Sequence, residues 1–280
     1  MVVVTHDSGA TLARCLDALL AQDLALEAIV VDNDSRDGAL SVLPADPRIR
    51  LLLNPDNRGF ARACNQGAAL AHGDRLLFLN PDAFLPEGAL AALCAQLDAE
   101  PALGVLGAQL IGPDGSAQHA ARRRDPTPLA AMARALGLEG RLGLPRVELA
   151  DRDDGARVQA VSGAAMLVRR TAFEAVGGFD AGYVLHFEDL DLCRRLREAG
   201  HGVALASSVR VTHVKGSSSR RRPYWVAWHK HRGMLRYFRR FDAARSSLMA
   251  LAMPVLVWTH YFAVEVPRIA LRALRRAPGA

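Results

Sequence analysis

Four short polar segments have the residue types and spacing to do chemistry. His186-Phe187-Glu188-Asp189-Leu190-Asp191-Leu192-Cys193 sets three carboxylates within four residues at a helix start. Acidic side chains there complement the helix dipole, but three of them beside an apolar run exceed what capping requires. A carboxylate so placed can serve as a general base toward a hydroxyl within hydrogen-bond reach. Asn80-Pro81-Asp82 follows a buried run of leucines and phenylalanine. Pro81 stiffens the turn, which leaves Asp82 able to hold a hard cation together with oxygens from a ligand. As a lone tripeptide the segment reads equally well as a plain turn. Asp32-Asn33-Asp34-Ser35-Arg36-Asp37-Gly38 can accept from a base N–H or a ribose hydroxyl; taken alone, it reads better as an Asx turn. His213, before Val214-Lys215-Gly216-Ser217-Ser218-Ser219, can ligate a metal through one imidazole nitrogen. Lys215 and the arginines after it can meet phosphates.

These segments need elements that hold them. Short apolar runs over 2–4, 28–31, 49–53, 76–79 and 103–110 alternate with helical patterns. Leu12, Cys15, Leu16 and Leu19 have helical spacing, and helices are expected over 60–71 and 86–97. This alternation predicts a mostly parallel sheet covered by helices. Ligands of such sheets bind beyond the carboxyl ends of the strands, and there the polar segments collect. The pattern weakens over 112–155, which reads as a long loop with one short helix near 129–136. Strands return over 158–168, containing Ser162-Gly163, then over 203–205 and 209–214, with helices over 171–176 and 189–199. From Tyr224 onward the pattern is helical.

Bulk properties narrow the class. With 280 residues, 50% hydrophobic and 23% charged, the chain can bury a sizeable core. The net charge of +6 suits an anionic ligand, a nucleic acid or an acidic membrane surface. Arginines and lysines gather late: Arg194, Arg195 and Arg197, then Arg220-Arg221-Arg222, then 230–240, then the C-terminus. The four cysteines, Cys15, Cys64, Cys94 and Cys193, form no Cys-x-x-Cys pair, so free thiols of a cytoplasmic protein are expected. No secretory signal is read at the N-terminus.

Six motifs occur in a fixed order: Val-Val-Thr-His-Asp-Ser (3–8), Val-Val-Asp-Asn-Asp-Ser-Arg-Asp-Gly (30–38), Asn-Arg-Gly-Phe-Ala-Arg-Ala-Cys-Asn-Gln-Gly (57–67), Leu-Asn-Pro-Asp (79–82), Val-Gly-Gly-Phe-Asp (176–180) and Phe-Glu-Asp-Leu-Asp-Leu-Cys-Arg-Arg (187–195). As an ordered set they resemble glycosyltransferase family 2, inverting enzymes of the GT-A fold, and within it the rhamnosyltransferase-like members. The resemblance implies a GT-A (Rossmann-like) α/β catalytic domain over 1–222 and a helical C-terminal region over 223–280. It places Thr5, Asp32 and Asn33 at the nucleotide's base or ribose. It places Arg58, Gly59 and Asn65 near the diphosphate and donor sugar, and counts Asn80 and Gly163 with the donor-binding residues. Asp82 takes the last position of an Asp-x-Asp metal motif whose first position is Asn80 here. His213 matches a histidine that completes the shell of Mg²⁺ or Mn²⁺ in some members. Asp189 matches the catalytic base, with Glu188 beside it.

The implied reaction moves a sugar, with L-rhamnose from dTDP-rhamnose the leading donor, to a hydroxyl of a glycan or lipid-linked acceptor in cell-surface polysaccharide synthesis. The competing reading is a non-catalytic carbohydrate- or membrane-binding protein that kept the fold. No nucleic-acid motif is present. In the tail, residues 248–266 are predominantly apolar, interrupted by Pro254, Thr259, His260 and Glu265 and flanked by Arg245 and by arginines over 268–276. About 20 clean apolar residues span a bilayer, so spanning, an amphipathic anchor and a packed appendage all stay open. Peripheral association at the inner face of the cell membrane is the expected mode, and the same helices offer a homodimer surface.

Overall fold

A computed structural model describes residues 1–135, 157–214, 222–242 and 247–274. The expectations for 136–156, Lys215 and the Gly/Ser loop after it, Arg220, Arg221, Arg245 and the last arginines lie outside the described residues. The chain forms two compact units. The first comprises Met1–Asp125, Val147–Val184 and Glu188–Ser218, and the second Pro126–Arg146, Leu185–Phe187 and Ser219–Ala280.

The first unit is α/β. Its strands are β1 (Val2–Thr5), β2 (Ala28–Asn33), β3 (Ile49–Asn54), β4 (Arg75–Leu79), β5 (Ala83–Phe84), β6 (Leu103–Ile111), β7 (Arg122–Arg123), β8 (Ala160–Val161), β9 (Ala165–Arg169) and β10 (Gly202–His213). Eight of them form one sheet in the order β3-β2-β1-β4-β9-β6-β10-β5. Only β9 and β5 run against the rest, so the sheet is mostly parallel. Helices α1 (Gly9–Leu20), α2 (Phe60–Leu70), α3 (Ala89–Ala99), α5 (Arg170–Ala175) and α6 (Glu188–Glu198) flank it; α4 (Pro128–Ala135) belongs to the second unit. β1 and β2 are buried at every residue, as central strands covered on both faces are. The edge strand β3 instead exposes Leu51 and Leu53. At Gly67 of α2 a side chain would collide with Val2 of β1, so that glycine lets the helix lie close on the sheet. Phe78, Phe173 and Phe179 pack together at centroid distances of 4.9–5.6 Å, with Phe179 edge to face on the other two.

Three features depart from the sequence pattern. The apolar run 158–168 is not one strand: it breaks at Ser162-Gly163-Ala164. β8 pairs with β7 in a separate two-stranded sheet, and β9 joins the main sheet. The runs 203–205 and 209–214 are one strand, β10, whose register shifts between Ala206 and Arg210. The two-residue β5 is too short to leave a periodic signal. All four cysteines are free.

The second unit is helical, with α7 (Pro223–Phe241), α8 (Ser247–His260) and α9 (Val266–Leu274). A π-turn over Tyr261–Glu265 joins the last two. Met253, Val257, Tyr261 and Ile269 are buried, while Leu251, Val255, Phe262, Leu271 and Leu274 are exposed. Ala250–Leu274 is long and apolar enough to cross a membrane, by length and composition.

Candidate active site

β1 and β2 end side by side, with Thr5 opposite Asp32. Their following loops are laced together: Asp7 N–H donates to Ser35 Oγ (3.0 Å), Arg36 N–H to Asp7 Oδ1 (2.8 Å) and Gly9 N–H to Asp37 Oδ2 (2.8 Å). Asp7 and Asp34 both take positive φ there, a conformation Asp tolerates better than most residues. Thr5 and Asp32 are buried. Asp32 Oδ2 accepts from Ser35 N–H (3.1 Å), while Asp32 Oδ1 and Thr5 Oγ1 have no hydrogen-bond partner among the described residues. Buried polar atoms are rarely left so, which marks this sheet edge as a place for a polar ligand.

The other expected donor contacts divide. Asn33 accepts from Asn54 Nδ2 (2.9 Å) and donates to the Gly59 carbonyl (3.4 Å), so it ties β2 to β3 and to the start of α2. Gly59 has φ +83°, and a Cβ there would lie 2.8 Å from the Val184 backbone. Only glycine lets that chain pass. Arg58 points to solvent and pairs with Asp56 (3.1 Å). The Asn65 amide is engaged at both ends by the Phe179 backbone (2.7 and 2.9 Å), so it braces the Gly177-Gly178 turn. In this structure these residues shape the walls.

Asp82 lies two residues beyond Asn80, at the start of β5. The pairing of β5 with β10 sets His213 opposite Ala83, and His213 Nε2 comes within 3.3 Å of Asp82 Oδ1, both groups buried. Gln118 fixes the ring: its Nε2 donates to the His213 carbonyl (2.8 Å), and its Oε1 faces His213 Nδ1 (3.0 Å). A carboxylate oxygen and an oriented imidazole nitrogen side by side suit a divalent cation whose other ligands come from phosphate. Among the described residues no third His, Cys, Asp or Glu joins them.

The backbone N–H of Asn80 donates to Ala164 O (2.9 Å), tying this corner to the break between β8 and β9. There Gly163 N–H donates to Asp189 Oδ2 (3.1 Å). Asp189 also accepts from Leu190 N–H through Oδ1 (2.8 Å) and from Arg123 Nη2 through Oδ2. Burial alone would raise the Asp189 pKa. The charge and hydrogen bond of Arg123, with the two backbone donors, outweigh it and hold the carboxyl below its usual range. Glu188 goes the other way: burial, then the Asp189 charge, push it up to about 8. Two adjacent carboxyls driven apart in this way are the signature of an acid–base site. His186 and Phe187, just before them in sequence, both have positive φ. For a bulky residue such as Phe187 that is strain of about 1–3 kcal/mol, which collects at functional sites.

Comparison with known proteins shows the family. The glycosyl transferase family 2 model matches residues 1–177. The chain belongs to that family. A second model, glycosyl transferase family 21, matches residues 114–266. The glycosyltransferase is 32% identical to N-acetylglucosaminyl-diphospho-decaprenol L-rhamnosyltransferase of Mycobacterium tuberculosis, over 82% of this chain and 81% of that one. Among solved structures it resembles a Pyrobaculum calidifontis mannosyltransferase in complex with GDP-Man and Mn²⁺ (TM-score 0.59, 19% identity, 100% of this chain and 75% of that one). It also resembles GalNAc-T7 with UDP, GalNAc and Mn²⁺ (TM-score 0.57, 19% identity, 76% and 42%). The fold is GT-A, and the chain is a nucleotide-sugar-dependent glycosyltransferase.

Two residues of the candidate site were not singled out from sequence. Gln118 and Arg123 lie in the stretch read as a loop, 95 and 66 residues from their partners. Arg123 sits in a run of three arginines that reads as solvated charge. Its burial is the signal, and burial is not local information.

Proposed function

We propose that this enzyme transfers L-rhamnose from dTDP-rhamnose, with inversion, to a hydroxyl of a lipid-linked sugar in cell-surface polysaccharide synthesis. The observation that carries the chemistry is the buried Glu188-Asp189 pair, in which Arg123 and two backbone N–H groups hold the Asp189 carboxyl below its usual range and Oδ1 is bonded, among the described residues, only to its neighbour's N–H. The rhamnosyl and lipid-linked assignments are supported by what the mycobacterial relative is named for.

Asp189 Oδ1 takes the proton of the acceptor hydroxyl as its oxygen bonds to the anomeric carbon. The bond from that carbon to the diphosphate oxygen breaks on the opposite face, and the nucleoside diphosphate leaves with the electron pair. Thr5 Oγ1 and Asp32 Oδ1 hydrogen-bond the nucleoside. Asp82 and His213 would hold Mg²⁺ or Mn²⁺, which supplies positive charge against the departing diphosphate; bound Mn²⁺ in the two solved relatives supports a divalent ion.

The apolar face of α8 and α9, with Leu251, Val255 and Phe262 open at i, i+4 and i+11, would rest on the cytoplasmic face of the membrane that carries the acceptor. Co-sedimentation with anionic vesicles supports that reading, whereas a stable homodimer that ignores vesicles assigns the face to a second copy.

A donor screen tests the enzyme directly. Nucleoside diphosphate release is expected to be highest with dTDP-rhamnose and to need Mg²⁺ or Mn²⁺. Turnover with another donor and none with dTDP-rhamnose would overturn the sugar assignment. No turnover with any donor and acceptor, despite sugar binding, would favour a binding protein on the same fold.

A further inference from the structure

Among the described residues, Arg123 is the side chain that hydrogen-bonds the candidate base from outside its own helix. It sits on β7, where Arg122 pairs with Val161 and Arg123 with Ala160 of β8. Nη2 donates to Val161 O (3.1 Å) as well as to Asp189 Oδ2. The guanidinium side chain is 16% exposed, the carboxylate 11%. A second ion pair of opposite sense closes the same junction: Asp125, two residues after Arg123, receives both its oxygens' bonds from Arg197 Nη2 of α6 (2.6 and 2.7 Å). The β7 segment thus gives a cation to the first turn of α6 and an anion to its last. The two contacts fix where the start of that helix stands.

The division of labour on Asp189 follows. Oδ2 takes Arg123 and Gly163 N–H; Oδ1 takes only Leu190 N–H. We propose that Arg123 is a positioning residue for glycosyl transfer, which holds Asp189 by Oδ2 as an anion so that Oδ1 is the atom presented to the acceptor hydroxyl. This rests on the reading of Asp189 as the base. Arg123 also decides which of two neighbouring carboxyls keeps a proton. With the guanidinium beside Asp189, Glu188 is the protonated partner. Without it, two buried carboxyls compete for one proton, and the base is protonated over part of the working range.

The test compares pH profiles of kcat and kcat/KM for the wild type, Arg123→Gln and Arg123→Lys, read as nucleoside diphosphate release. In Arg123→Gln the acid limb should move up by about one to two pH units, the size of an arginine's effect on a neighbouring carboxylate. At a pH one unit below the new limb, kcat should then fall about tenfold, recovering as pH rises, with donor KM little changed. Arg123→Lys keeps the charge without the planar fork, so its limb should move less. A residue that only supports the fold would lower activity equally at all pH values in both variants, and that result overturns the proposal. So does an acid limb that stays in place in Arg123→Gln. Carboxyl ¹³C titration of the wild type, with the Asp189 signal assigned by its loss in Asp189→Asn, needs no arginine variant. Asp189 should stay ionised down to below the ordinary carboxylate range; protonation above that range overturns the proposal even if both arginine variants fail to fold. Wild-type turnover by Asp189→Asn would instead remove the base reading itself, whereas an inactive Asp189→Asn with an unmoved limb in Arg123→Gln removes only the role of Arg123.

Discussion

The two ends of the site satisfy their polar groups differently. At the carboxyl ends of β1 and β2, Thr5 Oγ1 and Asp32 Oδ1 are buried without a partner among the described residues. At the start of α6, Asp189 is held by a guanidinium and two backbone N–H groups. A buried polar atom left unpaired costs about 1–3 kcal/mol, a cost offset only when a ligand supplies the missing bond. A buried carboxylate with three donors is stabilised before any ligand arrives. The first end is shaped for recognition and the second for a fixed charge state. Substitutions at the two ends should therefore separate cleanly into losses of binding and losses of turnover.

The largest effect is expected at the charge-holding end. Asp189→Asn removes the proton acceptor and should lower kcat by about 10²–10⁴-fold, the usual worth of general base catalysis. Donor affinity, measured by calorimetry, should hardly change. Equal losses in kcat and donor affinity would erase the contrast between the two ends.

Next comes the corner between them. Gln118→Ala frees the His213 ring without touching either of the groups proposed to hold the cation. Losing such an orienting partner typically weakens metal affinity by about 10–100-fold, so the half-saturating Mn²⁺ concentration should rise while kcat at saturating Mn²⁺ is largely kept. An unchanged metal titration would remove Asp82 and His213 from that role.

At the recognition end the effect is smaller and its sign on stability is diagnostic. Thr5→Val deletes a hydroxyl that has no partner among the described residues. Donor affinity should fall by about tenfold, the worth of one net hydrogen bond of about 1 kcal/mol or slightly more. The melting temperature should stay level or rise, because the desolvated hydroxyl is gone. A fall in melting temperature with unchanged donor affinity would mean that Thr5 serves the fold.

The contrast also tracks what was legible in the sequence. Groups that act through chain neighbours were readable. Asp32 ends an apolar run, Asp82 follows another, and Glu188-Asp189 opens a helix, so period and punctuation set the first two at the sheet edge and the pair at a helix start, while their roles come from the resemblance. Groups that act through distant partners were not. Arg123 lies in the stretch read as a loop, and a two-residue strand sets it against Asp189. Gln118 carried no signal at all, because what matters is that the turn after β6 brings it to His213 at the end of β10. Asn33 and Asn65 matched a motif, yet their amides are taken up by Asn54, Gly59 and Phe179. A motif position fixes where a residue stands, and its hydrogen bonds decide what it touches. The break at Ser162-Gly163-Ala164 was hidden inside a continuous apolar run, since nothing local shows that Gly163 N–H is needed by Asp189.

The smallest effect near neutral pH is expected at Glu188, where the two kinds of end meet: its Oε2 is buried with no partner among the described residues, yet it borders the proposed base. Its carboxyl is raised from an ordinary 4.5 to about 8. In the unfolded chain it releases its proton near its ordinary value; in the folded chain it keeps it until about 8. Stability is therefore greatest below the unfolded value and falls as pH rises between the two. Glu188→Gln stays neutral throughout, so its melting temperature should gain on the wild type progressively from pH 5 to about pH 8. Turnover near pH 7 should be close to wild type, because Gln mimics the protonated acid. Above about pH 8 the wild type should lose activity as a second negative charge forms beside Asp189, and the variant should not. A melting-temperature gap that does not change with pH would show that Glu188 does not hold its proton, and the base would then share its charge with a neighbour instead of keeping it.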